Sequence, residues 1–316
     1  MRSYNLLLPS NLAPSYIPLV KSPTQSLCRR SVFGFPVEFT GSIAVRRVDS
    51  LLGPAGIKKT KAPPLLRAVF VNSLRGFRRR GFDPESSTLL LGQGFALDYA
   101  KRTVFYPLDA PRRIDVAERQ RPHPLLARTL LFSLSLLAER YGPETASSGG
   151  VFALYLHASA VACRKGVLLF CGESTFGKST ISGKLLTGFP KLEDDQTFVL
   201  LSGGNSGKSQ PQTVVFGSPL RRQKDFRSPR ALNSPTLPVA ALFWLQKSPR
   251  MTVSPLAPSD AATQNVSLTI HWNEPAAVMN RLKMLKQLVT AVPCYTLEFY
   301  KQRQPLVDLL RSHDLC

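Results

Sequence analysis

The chain has 316 residues, 43% of them apolar, enough to bury a sizeable core and too apolar for a disordered polymer. With 41 Lys and Arg against 20 Asp and Glu, its formal net charge of +21 attracts anions without choosing among nucleotides, acidic peptides, nucleic acid and anionic lipid. Cys28, Cys163, Cys171, Cys294 and Cys316 show neither C-x-x-C nor Cys/His spacing, which argues against a disulfide framework or a zinc site, and no apolar run approaches the ~18–20 residues a membrane span needs.

Residues 1–85 carry 14 Lys and Arg against 4 Asp and Glu and are rich in Pro, Ser and Leu. Pro9, Pro14 and Pro18 interrupt the short apolar stretches at the start, so no signal peptide is read and a cytoplasmic protein is expected. This first region reads as basic and loosely ordered, with strands expected at 32–39 and Leu66–Val71. A second region, 86–150, begins with strands at Thr88–Leu91, Phe95–Asp98 and 102–106. It ends in a helix over Pro124–Tyr141, whose leucines form a broad apolar face closed by Gly142-Pro143.

From 151 to 316 the pattern is α/β. Residues 151–157 read as a strand or short helix, and 159–163 as a strand. The uninterrupted apolar run at 167–171 reads as a strand buried on both faces. A helix is expected over 178–186, then strands at 196–201, 212–216, 238–245 and 266–271. A helix at 274–292, a strand at Cys294–Phe299 and a short helix at 305–312 complete the chain.

Between the strand at 167–171 and the following helix lies Gly172-Glu173-Ser174-Thr175-Phe176-Gly177-Lys178-Ser179-Thr180, a match to G-x-x-x-x-G-K-[ST]. The glycines allow a tight turn whose amides face inward as an anion nest. Lys178 would reach the β- and γ-phosphates of ATP, and the Ser179 hydroxyl would ligate Mg²⁺. Strand before and helix after are the context this mechanism requires. Phe176 is bulky for the position and is accommodated if its side chain points outward.

Sixteen residues beyond Lys178, Asp194 and Asp195 stand just before a strand. A kinase needs a carboxylate at the metal and a base for the acceptor hydroxyl, and an adjacent pair can divide those tasks. Glu193 reads as a solvated neighbour. His157 lies ten residues before the strand that feeds the loop; taken alone, it reads as a core histidine. Arg221, Arg222 and Lys224 place cations on a loop that could face phosphates. Cys171 and Trp244 read as packing residues. No interleaving of aromatic and basic residues supports a nucleic-acid partner.

The arrangement of His157, a strand, the GESTFGKST loop, a helix and Asp194-Asp195 resembles HPr kinase/phosphorylase and the wider group of HPr-kinase-like proteins, which includes peptide-maturation serine kinases. The likeness spans about 154–299. It implies a mixed-sheet α/β P-loop kinase domain of the HPr kinase/phosphoenolpyruvate carboxykinase type. The implied activity is ATP- and Mg²⁺-dependent phosphorylation of a serine hydroxyl on a peptide or small protein, in a homo-oligomer. Carried over, Asp194 is the base, Asp195 with Ser179 the Mg²⁺ ligands, and His157 and Lys178 complete the catalytic set; the roles of the two aspartates are interchangeable. Thr175-Phe176 replaces the small residues usual in the family loop, and the family's glycine-rich segment after the middle strands is missing, so HPr and phosphorylase activity are not part of the expectation. A small-molecule kinase and a non-catalytic nucleotide-binding sensor or scaffold remain as rivals.

Overall fold

A computed structural model describes residues 27–40, 58–71, 88–91, 95–107, 124–202, 210–214, 236–269 and 274–315. The expected cations at 221–224 and the stretch at 216–220 lie outside the described residues.

Strands β1 (Leu27–Val32) and β2 (Phe35–Thr40) form an antiparallel hairpin where one strand at 32–39 was expected. The two-residue turn Phe33-Gly34 has positive φ at both positions, the geometry that suits the natural twist of a hairpin. The continuous apolar run hides the turn, and Gly34 was its only signal. With β3 (Lys58–Lys59), β4 (Leu66–Val71), β5 (Thr88–Leu91), β6 (Phe95–Asp98) and β7 (Thr103–Pro107) they make a seven-stranded sheet in the order β3-β1-β2-β4-β7-β6-β5. Parallel pairing of β4 with β7 carries this sheet across the boundary expected at residue 85. Phe35, Val37, Phe39, Leu66, Ala68, Leu97 and Val104 point from it into the core, so residues 27–40 and 58–71 are ordered where a loose region was expected.

Helix α1 (Pro124–Tyr141) lies between that sheet and the second one, with Leu126, Leu130, Leu131, Leu134 and Leu137 all buried. The second sheet contains β8 (Val151–Leu156), β9 (Ala158–Cys163), β10 (Gly166–Cys171), β11 (Lys191–Glu193), β12 (Thr197–Ser202), β13 (Gln212–Val214) and β14 (Thr236–Lys247). Their order is β11-β9-β10-β14-β13-β12-β8. The long β14 is parallel to β10 on one side; on the other it pairs first with β13 and then, in parallel, with β16 (Cys294–Phe299). Antiparallel β15 (Thr252–Pro255) completes the branch. Parallel and antiparallel pairs together make this the mixed sheet expected.

Alternation along β10 divides the interior. Val167, Leu169 and Cys171 face a core shared with α1 and with helix α4 (Pro275–Ala291), while Leu168 and Phe170 face a second core under the C-terminal helix α5 (Arg303–Ser312). A strand covered on both faces must be apolar at every position, which is why its sequence shows no period of two.

Two further expectations fail. The strand expected at 266–271 is, as far as residue 269, the end of helix α3 (Pro258–Thr269). Its β-branched residues suggested a strand, but Pro258 at the first position and Asp260 in the first turn are helix-start chemistry, and Ala261, Ala262 and Asn265 supply a buried face. After the 172–177 loop, only Lys178–Thr180 (α2) is α-helical; Ile181–Leu185 is a π-helical turn. Gly183, Gly188 and Pro190 shorten the element, and α5 packs Leu306, Val307 and Leu310 over its apolar side. Among the described residues no helix is long and apolar enough to cross a membrane.

Candidate functional site

The 172–177 loop leaves the C-terminal end of β10, in the middle of the second sheet. Gly172 and Gly177 have φ of 158° and 100°, and Thr175 has φ of 76°. Gly177 is needed twice over: its backbone is left-handed, and a Cβ there would stand 2.7 Å from Phe299 Cζ. The Phe176 side chain is packed against the second core rather than pointing outward. The amides of Ser174, Thr175 and Gly177 make no backbone hydrogen bond among the described residues.

Lys178 is buried and bends back over the loop. Its Nζ donates to the Gly172 carbonyl at 2.7 Å and the Glu173 carbonyl at 3.1 Å. Burial lowers the pKa of the ammonium, opposed by Asp195, Cys171 and Asp194. Ser159 on β9 and Ser182 both donate to the Lys178 carbonyl, at 3.3 and 3.1 Å, and so tie the start of α2 to the sheet.

Asp194 and Asp195 follow β11 directly, and they differ although adjacent. Around Asp194, Lys191 Nζ stands 2.9 Å and Ser182 Oγ 3.2 Å from Oδ1, and the nearby Ser179 hydroxyl also favours its charged form. Burial works against its charge, but these donors more than offset it and hold the carboxyl below its ordinary range. Asp195 is 59% exposed and faces His157, whose Nδ1 lies 3.3 Å from its Oδ1. Burial, with Lys178 nearby, lowers the His157 pKa against the pull of Asp195. His157 sits between β8 and β9, so the antiparallel β9 and β10 bring it back beside the loop.

Glu193 is not the solvated neighbour expected. It is 6% exposed, and its Oε1 accepts a hydrogen bond from Arg128 Nη2 of α1 at 2.5 Å. Burial pushes its carboxyl up to about 7 despite that cation.

The fold thus gathers His157, Lys178, Ser179, Asp194 and Asp195 at one end of the second sheet. Sequence reasoning missed Ser182, Lys191 and Arg128. The first two carried a local signal, one turn beyond Lys178 and three residues before Asp194; Arg128 carried none. Cys171 is fully buried, its thiol pushed up to about 12 by burial, in keeping with a packing residue.

The donor set suits phosphate and a hard cation. The loop offers an ammonium and amides without backbone acceptors, and two carboxylates stand close by. Among the described residues no cluster of three or more His, Cys, Asp or Glu forms a metal cage of its own.

No protein-family model matches the sequence, and neither does any curated protein. Among solved structures the chain is similar to the HPr(Ser) kinase/phosphatase from Coxiella burnetii, at 17% identity and a TM-score of 0.27, over 51% of this chain and 96% of that one. A likeness this slight carries no argument about activity, which rests on the site itself.

Proposed function

We propose that this chain binds ATP with Mg²⁺ on the 172–180 loop and transfers the terminal phosphoryl group to a hydroxyl, that of a serine on a peptide or small protein. The observation that carries this reading is the convergence on one loop of Lys178, bonded to its carbonyls, and two carboxylates in opposite environments. The sequence resemblance supports the serine acceptor, and the net charge of +21 favours an acidic one.

In this reading the loop amides and Lys178 hold the phosphates, and Ser179 with Asp194 holds the cation. When bound, the cation supplies positive charge to the transferring group. The two aspartates thereby exchange the roles assigned from sequence. Asp194, beside Ser179 and paired with Lys191, is suited to the metal side. Asp195, open to solvent and partnered by His157, is suited to accept the proton as the acceptor oxygen bonds to phosphorus and the bond to ADP breaks. His157 orients that carboxylate.

Labelled-ATP transfer, with serine peptides and free serine as acceptors, tests the proposal. Asp195→Asn should lower transfer by roughly 10²–10⁴-fold while keeping Mg-dependent nucleotide binding. Asp194→Asn should lose the Mg-dependent part of binding, and Lys178→Ala should lose nucleotide binding. Transfer to free serine alone would replace the peptide acceptor with a small molecule. Tight ATP binding with no transfer to any hydroxyl would make the protein a sensor or scaffold, and unchanged transfer by Lys178→Ala and Asp195→Asn would sink the mechanism.

A further inference from the structure

One helix reaches both segments that carry the site. From α1, Arg128 bonds to Glu193, the residue immediately before Asp194-Asp195. Seven residues on, Ser135 Oγ accepts the Tyr155 amide at 3.0 Å. Glu139, a further turn along, pairs with Arg281 Nη1 at 2.9 Å, and Arg281 Nη2 donates to the Tyr155 carbonyl at 2.6 Å. Tyr155 lies on β8, an edge strand whose outward backbone groups need such partners, two residues before His157. The other side of α1 packs against β4 and β7 of the first sheet.

These ties are unequal in what they can do to the site. The pair of Glu139 with Arg281 is 1% exposed on either side and lies within the shared core. The Arg128–Glu193 pair sits at the end of a three-residue strand from which both aspartates project. Among the described residues only Arg128 comes to Glu193 from another element; Lys191 and Asp194 are its neighbours in sequence. Without that cation the buried Glu193 loses the partner that fixes its place, and a side chain moving toward water would carry the backbone of the next two residues with it.

We propose that Arg128 is a positioning residue for the Asp194-Asp195 pair, acting through Glu193, so that the first sheet and α1 set the geometry of the carboxylates. The proposal rests on the phosphoryl-transfer reading for its consequence, while the hydrogen-exchange arm of its test does not. Arg128→Met, Arg128→Lys and Arg281→Met are compared in the full chain by hydrogen exchange without nucleotide and by titration with a fluorescent ATP analogue with and without Mg²⁺. Arg128→Met should speed exchange at 193–196 by about tenfold and leave β14 unchanged. It should cut the gain in affinity that Mg²⁺ confers by about tenfold, with metal-free affinity within about twofold of the starting protein. Arg128→Lys should recover most of both effects, and Arg281→Met should lower stability without that selective loss. The proposal is overturned if exchange at 193–196 does not change, if exchange rises equally throughout the chain, or if both affinities fall together. Should the unmodified protein fail to bind the analogue while Arg128→Met still speeds exchange at 193–196 alone, the tie stands and the nucleotide reading falls.

Discussion

The 172–177 loop and the acidic segment facing it are built by different means. Lys178 is bonded to carbonyls five and six residues behind it, and the conformation follows from glycines within the loop. Glu193 and Asp194 are held by partners 65, 12 and 3 residues away, on α1, the π-helical turn and β11. A structure closed over a few residues can form wherever its flanking strand is placed. One held by long-range charges exists only once both sheets have packed around α1. The loop should therefore fail locally and the acidic segment through distant substitutions.

Arg281→Met tests that difference with the largest effect. It leaves the Glu139 carboxylate buried without its cation and frees the Tyr155 carbonyl, at a cost of about 3–5 kcal/mol. Thermal unfolding should begin roughly 10 °C lower. A loss below about 1 kcal/mol would show that the ties from α1 and α4 are not what hold this side together.

Gly177→Ala should act on the other side alone. The left-handed backbone costs about 1–2 kcal/mol for a residue with a Cβ, and the new methyl also meets the Phe299 ring. Nucleotide binding should be lost with only a small shift in the melting temperature. A large global destabilisation instead would mean that the loop is bound into the core and not independently formed.

Ser182→Ala is the mildest. Ser182 bonds to both the Lys178 carbonyl and Asp194, so it links the two constructions. Its removal should cost about 0.5–1.5 kcal/mol and lower Mg-dependent affinity a few-fold, as the Asp194 carboxyl drifts back toward its ordinary range. An effect as large as that of Arg281→Met would merge the two sides into one network.

The ease of reading the sequence follows the same division. Strands β5, β6 and β16 and helix α1 were legible to the residue because their periods and turn residues are local. The loop was legible for the same reason. The hairpin turn at Phe33-Gly34 was lost inside an apolar run, and α3 was lost because its β-branched end outweighed a proline and an aspartate at its start. In Glu193 the sequence showed only a charged residue beside two others; its burial depends on a helix more than sixty residues earlier.

The glycine loop at 172–177, the apolar strand that feeds it and the presence of a carboxylate pair were therefore determined by sequence alone, because glycine conformations, side-chain periods and the order of residue types act over a few positions. Which aspartate faces Lys191 and Ser182 and which faces His157, and the pairing of the preceding Glu193 with α1, were decided by the tertiary structure. Charges separated by many residues in the chain acquire partners only when packing removes water between them.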